Sequence, residues 1–141
     1  DEGIAICEKA AKGKAVRQFA SLRELLEAFR EEHQFPIEIS IFGEEPGFIK
    51  PLYEVIHNVC KEAYYNTLSH SLADKLMIEA YMEPMGLMLR LYDNGRFRGA
   101  FEKGFGLVTM EENIQASGGS VTFRAVESEG FAIAAEWRAK T

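Results

Sequence analysis

Apolar positions along the chain switch between helical and strand spacing, and these switches predict the order of its elements. From Leu22 to Phe29, leucine and phenylalanine lie three and four residues apart, as on the buried side of an amphipathic helix. Ser21 and Glu24 form a capping-box pattern in front of that run, which predicts where the helix begins. The stretch IEISIF, residues 37–42, then alternates apolar and polar positions like a strand.

The rest of the chain continues this alternation. Pro51 suits the first turn of a second helix, whose apolar stripe runs from Leu52 to Ala63. The later patterns predict two strands, LMIEAYME and LMLRLY, a shorter helix over residues 107–117, and a final strand pair, SVTFRAV and FAIAAEW. The order α-β-α-β-β-α-β-β predicts the α+β class, as a two-layer α/β sandwich whose mixed sheet carries helices on one face.

Composition places the chain among soluble globular proteins. Its 141 residues suit one domain, with 47% hydrophobic and 27% charged residues. A formal net charge of -6 argues against general nucleic-acid binding, which needs a basic surface. No apolar run approaches the roughly 20 residues of a membrane span. Cys7 and Cys60 show no metal-like spacing, which predicts a reduced, cytoplasmic setting, and the first residue, Asp1, suggests a piece of a longer protein.

Polar residues interrupt the apolar face of the second helix. Within KEAYYNTLSHS, residues 61–71, Glu62, Asn66 and His70 follow one another at intervals of four residues. At about 100° per residue, Asn66 and His70 project close to the direction of the apolar stripe. Buried polar groups cost free energy unless they are paired. Two interpretations are open: the side chains bond to nearby backbone, or they line a cleft that holds a polar ligand or a metal.

A turn pattern follows the third predicted strand. Asp93-Asn94-Gly95 is a strong hairpin signal by itself. The next segment, RGAFEKGFGLVTMEENI, is rich in Phe, Arg and Gly and does not look like a returning strand. The turn pattern is therefore compatible with a hairpin or with a different loop.

A glycine pair precedes the third predicted helix, in the stretch GFGL that ends at Leu107. Glycines let backbone N–H groups approach a ligand closely, and a helix N-terminus favours an anion. Arg96, Arg98 and Lys103 lie just upstream in an otherwise acidic chain. Together these features indicate a phosphate pocket, although such glycines often only turn a loop.

The order of these segments resembles a known family. KEAYYNTLSHS, then YDNG, then GFGL before a helix that ends in GG, is similar to the ATP-binding catalytic domain of sensor histidine kinases, in the GHKL ATPase superfamily, and most closely to its branch with a short ATP lid. The resemblance covers about residues 20–137. It implies the Bergerat ATP-binding fold over residues 20–141, with residues 1–19 as an N-terminal segment that ends a connection to a dimerisation helix.

The resemblance implies a role for each matching residue. Asn66 would ligate Mg²⁺ through its side-chain oxygen, and Glu62 would orient or deprotonate a water or the attacking group. Asp93 would bond the adenine amino group, while Gly95 lets the backbone pass close to the base. Glu62 and Asn66 match the family's ExxxN motif. His70 matches a position often held by His at the end of this motif and is implied to bind nucleotide.

The family's glycine motif before the third predicted helix would face the phosphates of ATP. Its residues in this chain are Gly104, Phe105, Gly106 and Leu107. Residues 96–103 would then form the lid.

The activity implied by the resemblance is transfer of the γ-phosphoryl group of Mg-ATP to a histidine. The acceptor would lie on a dimerisation helix outside this chain, in a parent protein that forms a homodimer and signals to a response regulator. No nucleic acid and no direct membrane contact are expected for this domain. Whether the parent is anchored in a membrane is left open.

Three positions depart from the family pattern. Ser69 stands where many relatives have a basic residue, Phe97 stands where many have Gly, and Gly130-Phe131 replaces a Gly-Thr pair before the last strand. These departures motivate one alternative to histidine phosphorylation, a nucleotide-free signalling scaffold. A second alternative keeps ATP and changes the target: a serine kinase of the anti-sigma-factor type.

Overall fold

Three α-helices and five strands alternate through the parts of the chain that the computed structural model describes, residues 18–70, 72–96, 105–125 and 130–139. The elements are α1 (Leu22–Glu31), β1 (Ile37–Phe42), a 3-10 helix (Gly47–Leu52), α2 (Tyr53–His70), β2 (Leu76–Glu83), β3 (Gly86–Asp93), α3 (Phe105–Ala116), β4 (Gly119–Ala125) and β5 (Phe131–Arg138). The predicted order of elements is confirmed. Pro51 is the exception in detail, because it lies inside the 3-10 helix rather than in the first turn of α2.

The strands form one sheet in the order β1-β2-β3-β5-β4. β1 pairs with β2 in parallel, and the other neighbours are antiparallel. The predicted mixed sheet is thus confirmed. Because β3 is flanked by β2 and β5, Asp93-Asn94-Gly95 does not turn β3 into a hairpin with the segment that follows it.

The helices cover one face of the sheet. On the central strands every second residue is buried on that face, as the alternation along a strand requires. α2 is the central helix, and it contacts α1 and α3 beside it and β3 and β5 beneath it. Burial raises the pKa of the Cys60 thiol, on the buried side of α2, to about 12. The strand residues beneath the helices include Ile78, Ala80, Leu89, Leu91, Ile133 and Ala135.

Glu45 fixes the start of α2 against the start of α1. Its carboxylate accepts a hydrogen bond of 2.6 Å from the backbone N–H of Leu22 and another from the Tyr53 hydroxyl. Burial and the nearby Glu45 carboxylate raise the pKa of Tyr53 above its ordinary value. The predicted cap of α1 is confirmed, since the Ser21 hydroxyl accepts from the N–H of Glu24 at 3.1 Å.

The opposite face of the sheet carries a polar network centred on Glu79. Its carboxylate accepts hydrogen bonds from the hydroxyls of Tyr92 at 2.5 Å and Tyr81 at 2.8 Å, and pairs with Arg90 at 3.1 Å. Desolvation alone would raise the pKa of Glu79. The two hydroxyls and the Arg90 charge outweigh desolvation, and the pKa of Glu79 lies below its usual value.

None of the helices in the described ranges combines the length and apolar character needed to cross a bilayer.

Candidate functional site

Asn66 lies near the C-terminal end of α2 and is 8% exposed. Its side-chain nitrogen Nδ2 donates a hydrogen bond of 2.8 Å to the backbone oxygen of Glu62. This backbone bond, one of the two interpretations left open by the sequence, explains how the helix accommodates an Asn. It also directs the amide oxygen Oδ1 away from that carbonyl, and no hydrogen bond to Oδ1 is present within the described ranges. The fixed side chain therefore still offers an oxygen to a ligand.

A second contact joins α2 to the start of α3. The carboxylate of Glu62, which is half-buried, lies directly against Gly106, the second residue of α3. A Cβ built on Gly106 would stand 2.7 Å from Glu62 Cδ and 2.8 Å from Oε1, well inside van der Waals contact. A glycine is needed for the carboxylate to come this close. The charge of Glu62 thus lies beside the first turn of α3, where the helix dipole favours an anion.

Asp93 forms the other end of the site, at the last residue of β3. It is 6% exposed. Its Oδ1 accepts a hydrogen bond from the N–H of Gly95 at 3.0 Å, which fixes the bend after the strand. Its Oδ2 accepts from the Thr67 hydroxyl at 3.2 Å and from the N–H of Phe131 at 3.4 Å. A buried carboxylate is thereby held in one orientation by groups from α2, from its own loop and from β5.

Gly130 makes room for this carboxylate. A Cβ built on Gly130 would be 2.6 Å from the backbone oxygen of Asp93 and closer still to its Oδ1. The next residue, Phe131, is 2% exposed and begins β5. Phe131 stands where the resemblance expects a Thr, so no hydroxyl reaches the carboxylate from this position.

The hydroxyl beside Asp93 comes instead from Thr67, which the sequence analysis did not single out. Thr67 is 2% exposed and follows Asn66 directly. The sequence did contain a pattern that predicts a buried position for Thr67. Val59, Ala63 and Thr67 lie four residues apart, so Thr67 continues the buried stripe of α2. A threonine on such a stripe requires a partner for its hydroxyl. Among the described residues no buried polar side-chain atom lacks a partner.

Asn94 is a second residue that the sequence analysis did not assign. Its side-chain oxygen accepts hydrogen bonds from the N–H groups of Asp74 at 2.8 Å and Lys75 at 3.1 Å. Close by, the N–H of Leu72 donates to the backbone oxygen of Arg96 at 3.2 Å. These bonds tie the connection between α2 and β2 to the segment after β3. They hold the end of α2 and the end of β3 in one place.

The remaining assigned residues fall into two groups. Leu107 packs into the hydrophobic core at 3% exposure, and Ser69 is exposed on α2. His70 ends α2 and Phe105 begins α3, but the side chains of both lie outside the described residues, as do Gly104 and most of the expected lid, residues 97–103.

The donor set at this site fits a hard cation that is shared with a ligand. Mg²⁺ in proteins is usually held by one or two side-chain oxygens together with phosphate oxygens and waters. The Oδ1 of Asn66 is an oxygen of this kind, on a side chain that its bond to the Glu62 backbone oxygen holds in place. Within the described ranges, no group of three or more His, Cys, Asp and Glu side chains is placed to hold a metal ion.

Comparisons with known proteins point to one group. The sensor histidine kinase YxjM of Bacillus subtilis is 26% identical over 129 residues, which make up 91% of this chain and 32% of the relative. The sensor histidine kinase LiaS of the same organism is 29% identical over 125 residues, 86% of this chain and 34% of the relative. Among solved structures, the histidine kinase AdeS of Acinetobacter baumannii superposes with a TM-score of 0.58 at 16% identity, covering 85% of this chain and 64% of that one. No family model matches the chain.

These similarities confirm the predicted resemblance to sensor histidine kinases and the predicted fold class. Both relatives carry the name of the enzyme class that the sequence analysis predicted. The chain spans about a third of the length of these two relatives. It is therefore similar to one portion of such kinases.

Proposed function

We propose that this chain binds Mg-ATP and, within a longer parent protein, transfers the γ-phosphoryl group to a histidine. One observation carries the proposal. Adjacent residues of α2 reach both halves of the site: Asn66 bonds back to Glu62, which lies against the start of α3, while Thr67 bonds to Asp93 at the end of β3. Polar groups from distant segments thus meet the C-terminal half of α2, which supports a single polar site there.

The adenine base of ATP would lie at Asp93. A carboxylate accepts hydrogen bonds, and adenine offers its exocyclic amino group as a donor. The bonds from Gly95, Thr67 and Phe131 hold this carboxylate without help from the ligand. Such preorganisation reduces the ordering cost of binding. The orientation of Asp93 therefore supports a role in reading the base.

The phosphates would lie between the end of α2 and the start of α3. Asn66 would offer Oδ1 to Mg²⁺, which, when bound with ATP, neutralises charge on the transferred group. The N-terminal turn of α3 favours anions. Glu62, beside that turn, would orient the attacking group or accept its proton, provided that it keeps its position against Gly106.

The acceptor would come from elsewhere in the parent. We propose a histidine on a dimerisation domain of a homodimeric parent, followed by transfer to a response regulator. The support is similarity to sensor histidine kinases, of which this chain matches about a third. Because proximity contributes several kcal/mol to such steps, the isolated chain should transfer phosphate slowly.

Titration calorimetry of ATP into the chain, with and without Mg²⁺, tests the nucleotide site. Asn66→Ala should abolish the Mg²⁺-dependent part of binding. Asn58→Ala is the matched control, since Asn58 is an exposed asparagine on the same helix. Equal binding by wild type and Asn66→Ala would refute the metal role. A folded wild type that binds no ATP would favour the nucleotide-free scaffold, which Ser69, Phe97 and Phe131 motivate.

The acceptor is tested by the chemistry of the phosphorylated product. The parent, incubated with radiolabelled ATP, should carry a label that is lost in acid and kept in alkali. The reason is that the P–N bond of phosphohistidine is hydrolysed in acid and is stable in alkali. An acid-stable label on a partner protein would instead indicate the serine kinase alternative. The two products are distinguished on the same gel by acid treatment before detection.

A further inference from the structure

We infer that Thr67 is the positioning residue that makes Asp93 selective for a 6-amino purine. This inference rests on the proposed nucleotide site and adds to it the source of base discrimination. Thr67 acts through Asp93 and is not assigned a contact with the nucleotide.

The geometry separates Thr67 from the other donors on this carboxylate. Gly95 and Phe131 donate through backbone N–H groups, which every residue except proline would supply at those positions. Thr67 donates through its side chain, at 3.2 Å, from a helix that the core holds in place. The bond from Phe131 to the same oxygen is longer, at 3.4 Å. The bond from Thr67 to Oδ2 therefore depends on the side chain at position 67, unlike the backbone bonds from Gly95 and Phe131.

The direction of this hydrogen bond is set by chemistry. An ionised carboxylate can only accept, so the Thr67 hydroxyl must donate its hydrogen to Oδ2. Both groups are nearly fully buried, Thr67 at 2% and Asp93 at 6% exposure. At 3.2 Å the bond is long for a hydroxyl donor, so its contribution is to the orientation of the carboxylate. The hydroxyl thus opposes rotation of the carboxylate about its terminal torsion.

The position of Thr67 in the sequence makes this assignment informative. Phe131, the first residue of β5, donates to the Asp93 carboxylate through its backbone N–H and replaces the Thr of the family's Gly-Thr pair, so its buried side chain offers no hydroxyl. Thr67 donates to the same carboxylate, and a side-chain hydroxyl therefore reaches Asp93 from α2.

The test compares two nucleotides that differ in one group. ATP and purine riboside triphosphate, which lacks the 6-amino group, are titrated with Mg²⁺ into the wild-type chain, Thr67→Val and Thr67→Ser. We expect wild type to prefer ATP by roughly 10- to 100-fold, as for one hydrogen bond to a charged group. Thr67→Val should lose most of that preference by weakening ATP alone. Thr67→Ser, which keeps the hydroxyl, should retain it.

Each other result overturns the inference in a recognisable way. If Thr67→Val weakens both nucleotides equally, Thr67 only supports the local fold. If it leaves the preference unchanged, Asp93 is positioned without Thr67. If wild type binds both nucleotides equally, base reading by Asp93 fails while Mg-ATP binding stands. If wild type binds neither, the proposed function fails and the inference falls with it.

A second variant covers the case in which Thr67→Val does not fold. Thr67→Ala removes the hydroxyl without adding a methyl group beside the carboxylate, and the same preference is expected to be lost. Circular dichroism and the emission of Trp137, the single tryptophan and 2% exposed, verify the fold of every variant before titration.

Discussion

The carboxylate of Glu62 occupies space that a side chain on Gly106 would fill. Glu62 lies on α2 and Gly106 is the second residue of α3, so the contact joins two elements that are distant in sequence. The sequence analysis assigned Gly106 to a backbone that faces phosphate. The structure adds a second reason for glycine there, because any Cβ would collide with Glu62.

Gly106→Ala should leave the fold intact and impair function. The colliding group is the far end of a flexible side chain, and Ala favours a helix over Gly by about 1 kcal/mol, so the unfolding free energy should stay within about 1 kcal/mol of wild type. The displaced Glu62 carboxylate should slow the proposed phosphoryl transfer by roughly 10- to 100-fold. Urea denaturation and a phosphorylation time course provide the two measurements.

A double-mutant cycle checks the cause of that effect. In a Glu62→Ala background the collision is absent, so adding Gly106→Ala should stabilise the chain by its helix propensity alone. If Gly106→Ala changes stability equally in both backgrounds, the contact between the two residues has no energetic consequence.

Alanine substitutions at three glycines should distinguish the free-energy cost of backbone strain from the cost of a steric collision. Gly43 and Gly118 share a left-handed conformation, with φ of 90° and 89°. A Cβ on Gly43 would also fall on the Met82 carbonyl oxygen, whereas nothing lies within 4 Å of one on Gly118. We expect Gly118→Ala to cost about 1–2 kcal/mol and Gly43→Ala about 2–5 kcal/mol of unfolding free energy.

Gly47→Ala is the control for this series. It has neither a left-handed conformation nor a neighbour within 4 Å of an added Cβ, and its cost should stay within about 0.5 kcal/mol. Chemical denaturation of all three variants gives the comparison. Equal costs for Gly43→Ala and Gly118→Ala would contradict the collision with Met82.

Glu79→Gln should lower stability in a pH-dependent way. The folded-state pKa of Glu79 lies below its ordinary value of 4.5, so its stabilising contribution is present above that pH and is lost as the pH falls through the folded-state pKa. We expect a deficit of about 1 kcal/mol at pH 7 that narrows in more acidic solution. Glu83→Gln, an exposed change on the same strand, is the control. A deficit that does not vary with pH would exclude this linkage.

Ser117→Ala should destabilise the junction between α3 and β4. The ring N–H of Trp137, which is 2% exposed, donates a hydrogen bond of 2.9 Å to the Ser117 hydroxyl. Removing the acceptor leaves a nearly buried donor without this partner, at a cost of about 1–3 kcal/mol. Ser120→Ala, at an exposed position of β4, should have little effect. Urea unfolding followed by Trp137 emission measures both, and equal stabilities would show that the bond contributes nothing.

The local elements of this protein could be predicted from its sequence. Ser21 caps α1, IEISIF forms β1, and each helix and strand lies close to where its apolar period places it. Such signals work because helices and strands depend on spacing within a few residues. The chemistry assigned to Asn66 and Asp93 came from the order of short motifs. Both residues are buried, Asn66 on the helix expected and Asp93 as the last residue of β3 rather than in the turn after it.

The partners of those residues were decided only by the tertiary structure. Thr67 and Asp93 are 26 positions apart, and nothing local to either one indicates the other. The sequence shows that positions 106 and 130 are glycines, which allow a close approach by another group. Which carboxylate approaches each one, Glu62 or Asp93, depends on how α2, α3 and β5 pack. The sequence by itself determined the elements and the candidate groups, because those follow from neighbouring residues. Packing decided which groups meet, because hydrogen-bond partners across a sheet and its helices are set only when the whole core assembles.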